Sequence, residues 1–155
     1  MFKTLSKYSM GATAGIITSM GLIAGLTQSD SMRQTTIAGL LIIAIADNIS
    51  DSLGIHIYKE SEGASRRAIL SATFGNFLLR FVLVLSFILI VLFLPALQAL
   101  VVASIWGLTL LVLLSYSIAI AKNTTVRVEI IWHVVVALLV IFGSKLLGGF
   151  ILGHM

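Results

Sequence analysis

From Phe81 to Ala121 not one residue of this chain carries a charge, an unbroken run of 41. At about 1.5 Å per residue a single helix of that length would measure roughly 60 Å, twice the hydrocarbon thickness of a bilayer. The run is therefore too long for one crossing, and it is too apolar for a water-soluble fold. It reads as two membrane-spanning helices and a turn. Pro95, the only proline, supplies the turn, because it lacks an N–H and disfavours helical geometry in the residue before it.

The rest of the chain follows the same pattern. Only 10% of the 155 residues are charged and 59% are hydrophobic, where a soluble domain carries roughly 25% charged residues. This balance argues against secreted, cytosolic and disordered classes. The absence of cysteine removes disulfides, zinc knuckles and thiol nucleophiles together. A net charge of +4 in so apolar a chain marks cytoplasmic loops. No basic run interleaved with aromatics suggests nucleic acid as a partner.

Charges and polar links divide the sequence into five spans, at about residues 8–26, 35–58, 68–94, 98–121 and 128–153. The expectation is an all-α membrane protein whose single membrane domain covers 1–155, with the lipid bilayer as its solvent. The first apolar stretch follows Lys3 and Lys7 as a signal peptide would. It is longer than a typical signal core and further spans follow, so it reads as an uncleaved first span. Lys3, Lys7, Lys59, Arg66, Arg67, Lys122 and Arg127 fall on one side, against Arg33 alone on the other. The positive-inside rule then places the N-terminus in the cytoplasm and the C-terminus outside. Short loops suit a prokaryotic cytoplasmic (inner) membrane.

No His-Glu-x-x-His, Gly-x-Ser-x-Gly or phosphate loop occurs, so the expectation is a protein that is not an enzyme and needs no resident cofactor. An intramembrane protease reading would have only Asp47 and Asp51. Two aspartates one turn apart on one helix bracket a peptide poorly.

A charge at the centre of a spanning helix costs about 2.5 to 3.5 kcal/mol, so each needs a partner or a task. Asp47, Asp51 and Arg80 qualify. On a helix, Asp47 and Asp51 lie about 40° apart, with Ser50, Gly54 and Tyr58 on the same side. Counting from the link between spans two and three puts Asp47, Asp51 and Arg80 at depths of roughly 18, 12 and 20 Å. Arg80 is thus level with Asp47, and a buried Asp47–Arg80 ion pair is one reading. It leaves Asp51 as the carboxylate free for a ligand or a proton.

Span one carries Gly11-x-x-x-Gly15 and Gly21-x-x-x-Gly25, a face that lets two backbones approach closely. It is either a packing surface for a neighbouring helix or the seam of a homodimer, and the homodimer is the favoured expectation. Glu129 and His133, one turn apart at the start of span five, could face one ion or simply sit at the interface. His56 points away from the Asp47 stripe. The thioethers of Met10, Met20 and Met32 could serve soft metals but more commonly pack.

These residues resemble the vacuolar iron transporter family of divalent-metal/proton exchangers. The likeness lies in Gly15-Ile16-Ile17-Thr18-Ser19 with Ala24-Gly25 in span one. Span two carries Ala46-Asp47-Asn48, Ser50-Asp51, Leu53-Gly54-Ile55-His56 and Ser61-Glu62. Glu129 resembles an acidic residue that the family places near the start of its fifth helix. Three positions depart from the pattern: Ala14 stands at the family's helix-one acid, Asp51 at a methionine and Ile55 at a late glutamate. The nine residues KESEGASRR replace the cytoplasmic metal-binding helices of many members.

The resemblance implies a homodimer with spans one and two lining a central path. It implies export of a divalent ion, Fe²⁺ or Mn²⁺, from the cytoplasm against protons. Metal and proton would compete for the same carboxylate oxygens. The expected metal residues are Asp51 as ligand and proton carrier, Asp47 as second ligand or partner of Arg80, Ser50 and Thr18 as weaker oxygen donors, and Glu129. An all-oxygen site leans toward the harder Mn²⁺. A second expectation is a related membrane protein that no longer transports metal, or that moves a different cation.

Overall fold

The computed structural model describes residues 9–27 and 31–154. Lys3 and Lys7, which contribute to the orientation argument, lie outside the described residues. Five helices are long and apolar enough to cross a membrane: α1 (Ser9–Leu26), α2 (Met32–Ser61), α3 (Arg66–Phe93), α4 (Ala96–Lys122) and α5 (Val126–Leu152). The protein is therefore an all-helical, integral-membrane type of chain. The helices begin two or three residues before the expected starts of spans two to five, because terminal turns run into the polar links. Leu94 is extended ahead of Pro95, at φ −111° and ψ 148°, and ends α3 where the proline argument places the break.

The α2–α3 and α4–α5 links are short, and each is closed by a local device. Gly63, at φ +68°, ends α2 by turning the chain left-handed, with Ala64 N–H reaching Lys59 O at 3.2 Å. Asn123, at φ 57°, ends α4 in the same way, and Thr124 N–H reaches Ala119 O at 3.0 Å. Ser65 Oγ accepts from Ala68 N–H and starts α3.

Helix α1 packs against all four other helices. Its sequence is apolar or small all round, as a central helix requires. Small residues let its neighbours come close, and Ile16, Met20 and Ile23 fill the remaining space in the core with Val84, Phe87 and Leu111. Helix α5 is the opposite case. Ala137 is its only buried residue among those described, while Leu139, Phe142, Leu146 and Phe150 are exposed. In water such a surface would aggregate, and in a bilayer it is the lipid face.

The glycine face of α1 is filled from within the protomer, which corrects the expectation of a homodimer seam along Gly11, Gly15, Gly21 and Gly25. A β-carbon on Gly11 would lie 2.0 Å from Asn76 Oδ1, and one on Gly15 would lie 2.9 Å from Arg80 Cγ, both on α3. On Gly21 it would meet Val140 Cγ1 at 2.8 Å, and on Gly25 the Ser144 carbonyl oxygen at 3.3 Å, both on α5. Close approach is what these glycines provide, and the approaching helices belong to the same chain.

Helix α2 contains one irregular turn. Ile43–Asp47 is a π-helical segment, in which Asn48 N–H bonds Ile43 O, five residues back. The Ala44 carbonyl is taken instead by the Asn48 side chain at 3.3 Å. A wide turn of this kind is common at functional positions, and here its last residue, Asp47, opens the polar stripe.

Candidate ion site

The site is built where α2 and α3 cross beside the first half of α1. Helix α3 contributes Asn76 and Arg80, four residues apart and hence on one face. Both are buried. Their side chains find room only because α1 presents Gly11 and Gly15 opposite them. Helix α2 contributes Asp47, Asn48, Asp51 and Ser52, two successive turns of one stripe.

Arg80 engages both aspartates. Its Nη2 donates to Asp47 Oδ2, and its Nη1 lies 3.1 Å from Asp51 Oδ2. Asn76 Nδ2 donates to the same Asp51 oxygen at 2.9 Å and to Ser52 Oγ at 3.4 Å. Asn48 Nδ2 donates across the helix pair to the Phe77 carbonyl at 2.9 Å. The fork geometry of the guanidinium allows one arginine to hold two carboxylates a turn apart.

Two features of the cluster bear on its chemistry. Two carboxylates face one guanidinium, so in its fully ionised form the group carries one net negative charge between apolar helices. Burial is also uneven, since the Asp47 side chain is 49% exposed and that of Asp51 is 22% exposed, while Arg80 is 3% exposed. Arg80 Nε, Asn48 Oδ1 and Asn76 Oδ1 have no hydrogen-bond partner in the protein among the described residues.

The level contact of Asp47 with Arg80 is present as the depth arithmetic requires. The expectation that this leaves Asp51 free does not hold, because Arg80 and Asn76 both bind it. Asp47 is the more accessible carboxylate. Asn76, Asn48 and Ser52 were not among the expected site residues, although the four-residue spacing from Asn76 to Arg80 in an otherwise apolar helix is a readable signal.

The five expected metal residues are not brought together. Asp47 and Asp51 share the cluster, and Ser50 is exposed on α2. Thr18 turns its hydroxyl onto its own helix, donating to Ala14 O at 2.7 Å. Glu129 lies on α5, which packs on α1 and α4. There it lines a separate cavity of about 380 Å³ with Met10, Thr13, Lys122 and His133. His133 Nδ1 is 2.8 Å from the Glu129 carbonyl and 2.9 Å from Ser115 Oγ. The carbonyl can only accept, so Nδ1–H is the donor in that contact. Among the described residues no three His, Asp or Glu side chains converge as a ready metal site.

No protein-family profile, no curated protein and no solved structure matches this chain.

Proposed function

We propose that this protein is a proton-coupled transporter of divalent metal ions, Fe²⁺ or Mn²⁺, acting as a homodimer in a prokaryotic inner membrane with its N-terminus in the cytoplasm. The observation that carries the proposal is the excess carboxylate: Asp47 and Asp51 against the single charge of Arg80. An uncompensated charge in a low-dielectric setting attracts a proton or a cation. A site that accepts either one is the minimal chemistry of exchange.

The outer surface of α2 supports the dimeric form of the proposal. Ala46, Asp47, Ser50 and Gly54 are exposed there, as is Thr18 on α1. A second copy laid over these small and polar residues would enclose Asp47. The dimer contact proposed is therefore this surface and not the glycine face. In this scheme Asp47 receives the ion, Asp51 adds a second oxygen, and Arg80 holds the carboxylates when no metal is bound. Ser50 and Thr18 are weak oxygen donors by type, and oxygen ligands of this kind favour Mn²⁺ over a strong preference for Fe²⁺.

The test is uptake of Mn²⁺ and Fe²⁺ into proteoliposomes under an imposed pH gradient, comparing the native protein with Asp51→Asn at matched reconstitution. Proton-coupled flux that falls at least tenfold in the variant supports the proposal. Absence of flux from folded native protein, for both ions and both gradient directions, refutes it.

Arg80's hold on both carboxylates favours a second reading, in which the cluster braces α2 against α3 in a membrane protein without transport. That reading predicts that Asp51→Asn leaves every functional readout unchanged and alters only stability.

A further inference from the structure

Helices α2 and α3 leave a groove on their lipid-facing side. It has a volume of about 380 Å³, and its walls are Ile49 and Leu53 of α2 and Phe74 and Phe77 of α3. Its polar lining is held within the protein: His56 Nδ1 lies 3.3 Å from Thr73 Oγ1, and Ser52 Oγ accepts from Asn76 at 3.4 Å. Phe77 stacks on Phe81 with ring centroids 5.9 Å apart. Phe74 is shared with a second depression of about 630 Å³ that Arg66, Arg67 and Leu70 line.

One stripe of α3 therefore runs from two arginines at its first turn, through Leu70 and Phe74, to Phe77. Eleven residues separate Arg66 from Phe77, which is about 16 Å of helix, or one leaflet of hydrocarbon. Arg66 and Arg67 are exposed and belong to no ion pair among the described residues. The neighbouring acid Glu62 is already held by Lys59 at 2.5 Å, and Glu60, exposed on the last turn of α2, is not paired with either arginine. The positive end of the α3 dipole adds to the same charge.

We infer that this groove binds one anionic phospholipid, with its phosphate on Arg66 and Arg67 and one acyl chain along Leu70, Phe74 and Phe77. Charge selects the headgroup, and the apolar side chains of the groove receive the acyl chain. The chemistry is that of basic pockets between spanning helices at the cytoplasmic face, and it does not depend on transport.

The experiment is native mass spectrometry of the full protein from mild detergent, titrated with phosphatidylglycerol or phosphatidylcholine. The native protein should hold one phosphatidylglycerol at least about tenfold more tightly than phosphatidylcholine, since each arginine near the surface favours an anionic lipid. Arg66→Gln combined with Arg67→Gln should remove that preference. Leu53→Trp, which fills the groove, should weaken both lipids, and Arg127→Gln should change neither. Equal binding of the two lipids by the native protein overturns the inference without any variant. A preference that survives the double arginine substitution overturns it as well.

Discussion

The two ends of α1 carry the same glycine spacing and use it for different ends. At Gly11 and Gly15 the space admits polar side chains, Asn76 and Arg80, which reach past α1 to the aspartates of α2. At Gly21 it admits the Val140 side chain, and at Gly25 a helix backbone. A β-carbon on Gly148 of α5 would stand 1.8 Å from the Gly25 carbonyl oxygen. The small-residue motif thus sets how near a neighbour comes, and the neighbour decides whether the contact is a dry seam or a shelter for charge.

The difference can be broken from either end. The largest effect is expected at the polar end from Arg80→Leu, which leaves two carboxylates facing apolar helices. A loss of about 3 to 5 kcal/mol is expected, read from unfolding in mixed micelles. At the dry end, Gly148→Ala sets a methyl group against backbone that cannot turn aside. It should cost about 3 kcal/mol by the same assay, at the upper end of overpacking.

Gly11→Ala separates the two kinds of contact more finely. The Asn76 side chain can move away from the new methyl group, but doing so gives up its bond to Asp51. A loss of about 1 to 2 kcal/mol is expected. Once Asn76→Ala has already removed that bond, adding Gly11→Ala should cost little more. Gly25→Ala, with 3.3 Å to the Ser144 oxygen, should cost less than about 1 kcal/mol.

The smallest effect lies outside both ends, in the link between α2 and α3. The hydrogen bond from Lys59, and after it the one from Tyr58, holds the Glu62 carboxyl below its ordinary value. Its contribution is therefore present above the ordinary glutamate range and is lost as pH falls through the lowered folded value. The pair lies at the water-facing surface, so Glu62→Gln should leave the neutral-pH unfolding midpoint unchanged and remove only a slight acid-limb slope.

Much of this architecture is legible in the sequence, because the bilayer sets the helix lengths and Pro95 can break only one place in the uncharged run. The Asp47–Arg80 contact is legible too, since both depths count from one short link. Helical periodicity does not reveal which helix fills a glycine face, and the seam reading failed for that reason. Nor does it give the reach of a guanidinium fork, which joined Asp51 to the pair and left Asp47 more open. The π-turn at Ile43–Asp47 has no residue signature that distinguishes it from ordinary helix. Glu129 was grouped with the aspartates through a family resemblance, and packing of α5 on α1 and α4 keeps it in a different cavity.

The central claim is that the exposed carboxylate of the cluster handles an ion and does not merely brace two helices. Asp47→Asn tests it most directly, measured in one preparation for both unfolding midpoint and pH-gradient-driven Mn²⁺ flux. Arg80 keeps Asp51 and Asn76 remains in place, so the account predicts a stability loss of only about 1 kcal/mol together with loss of flux. Native-level flux in the folded variant would contradict it.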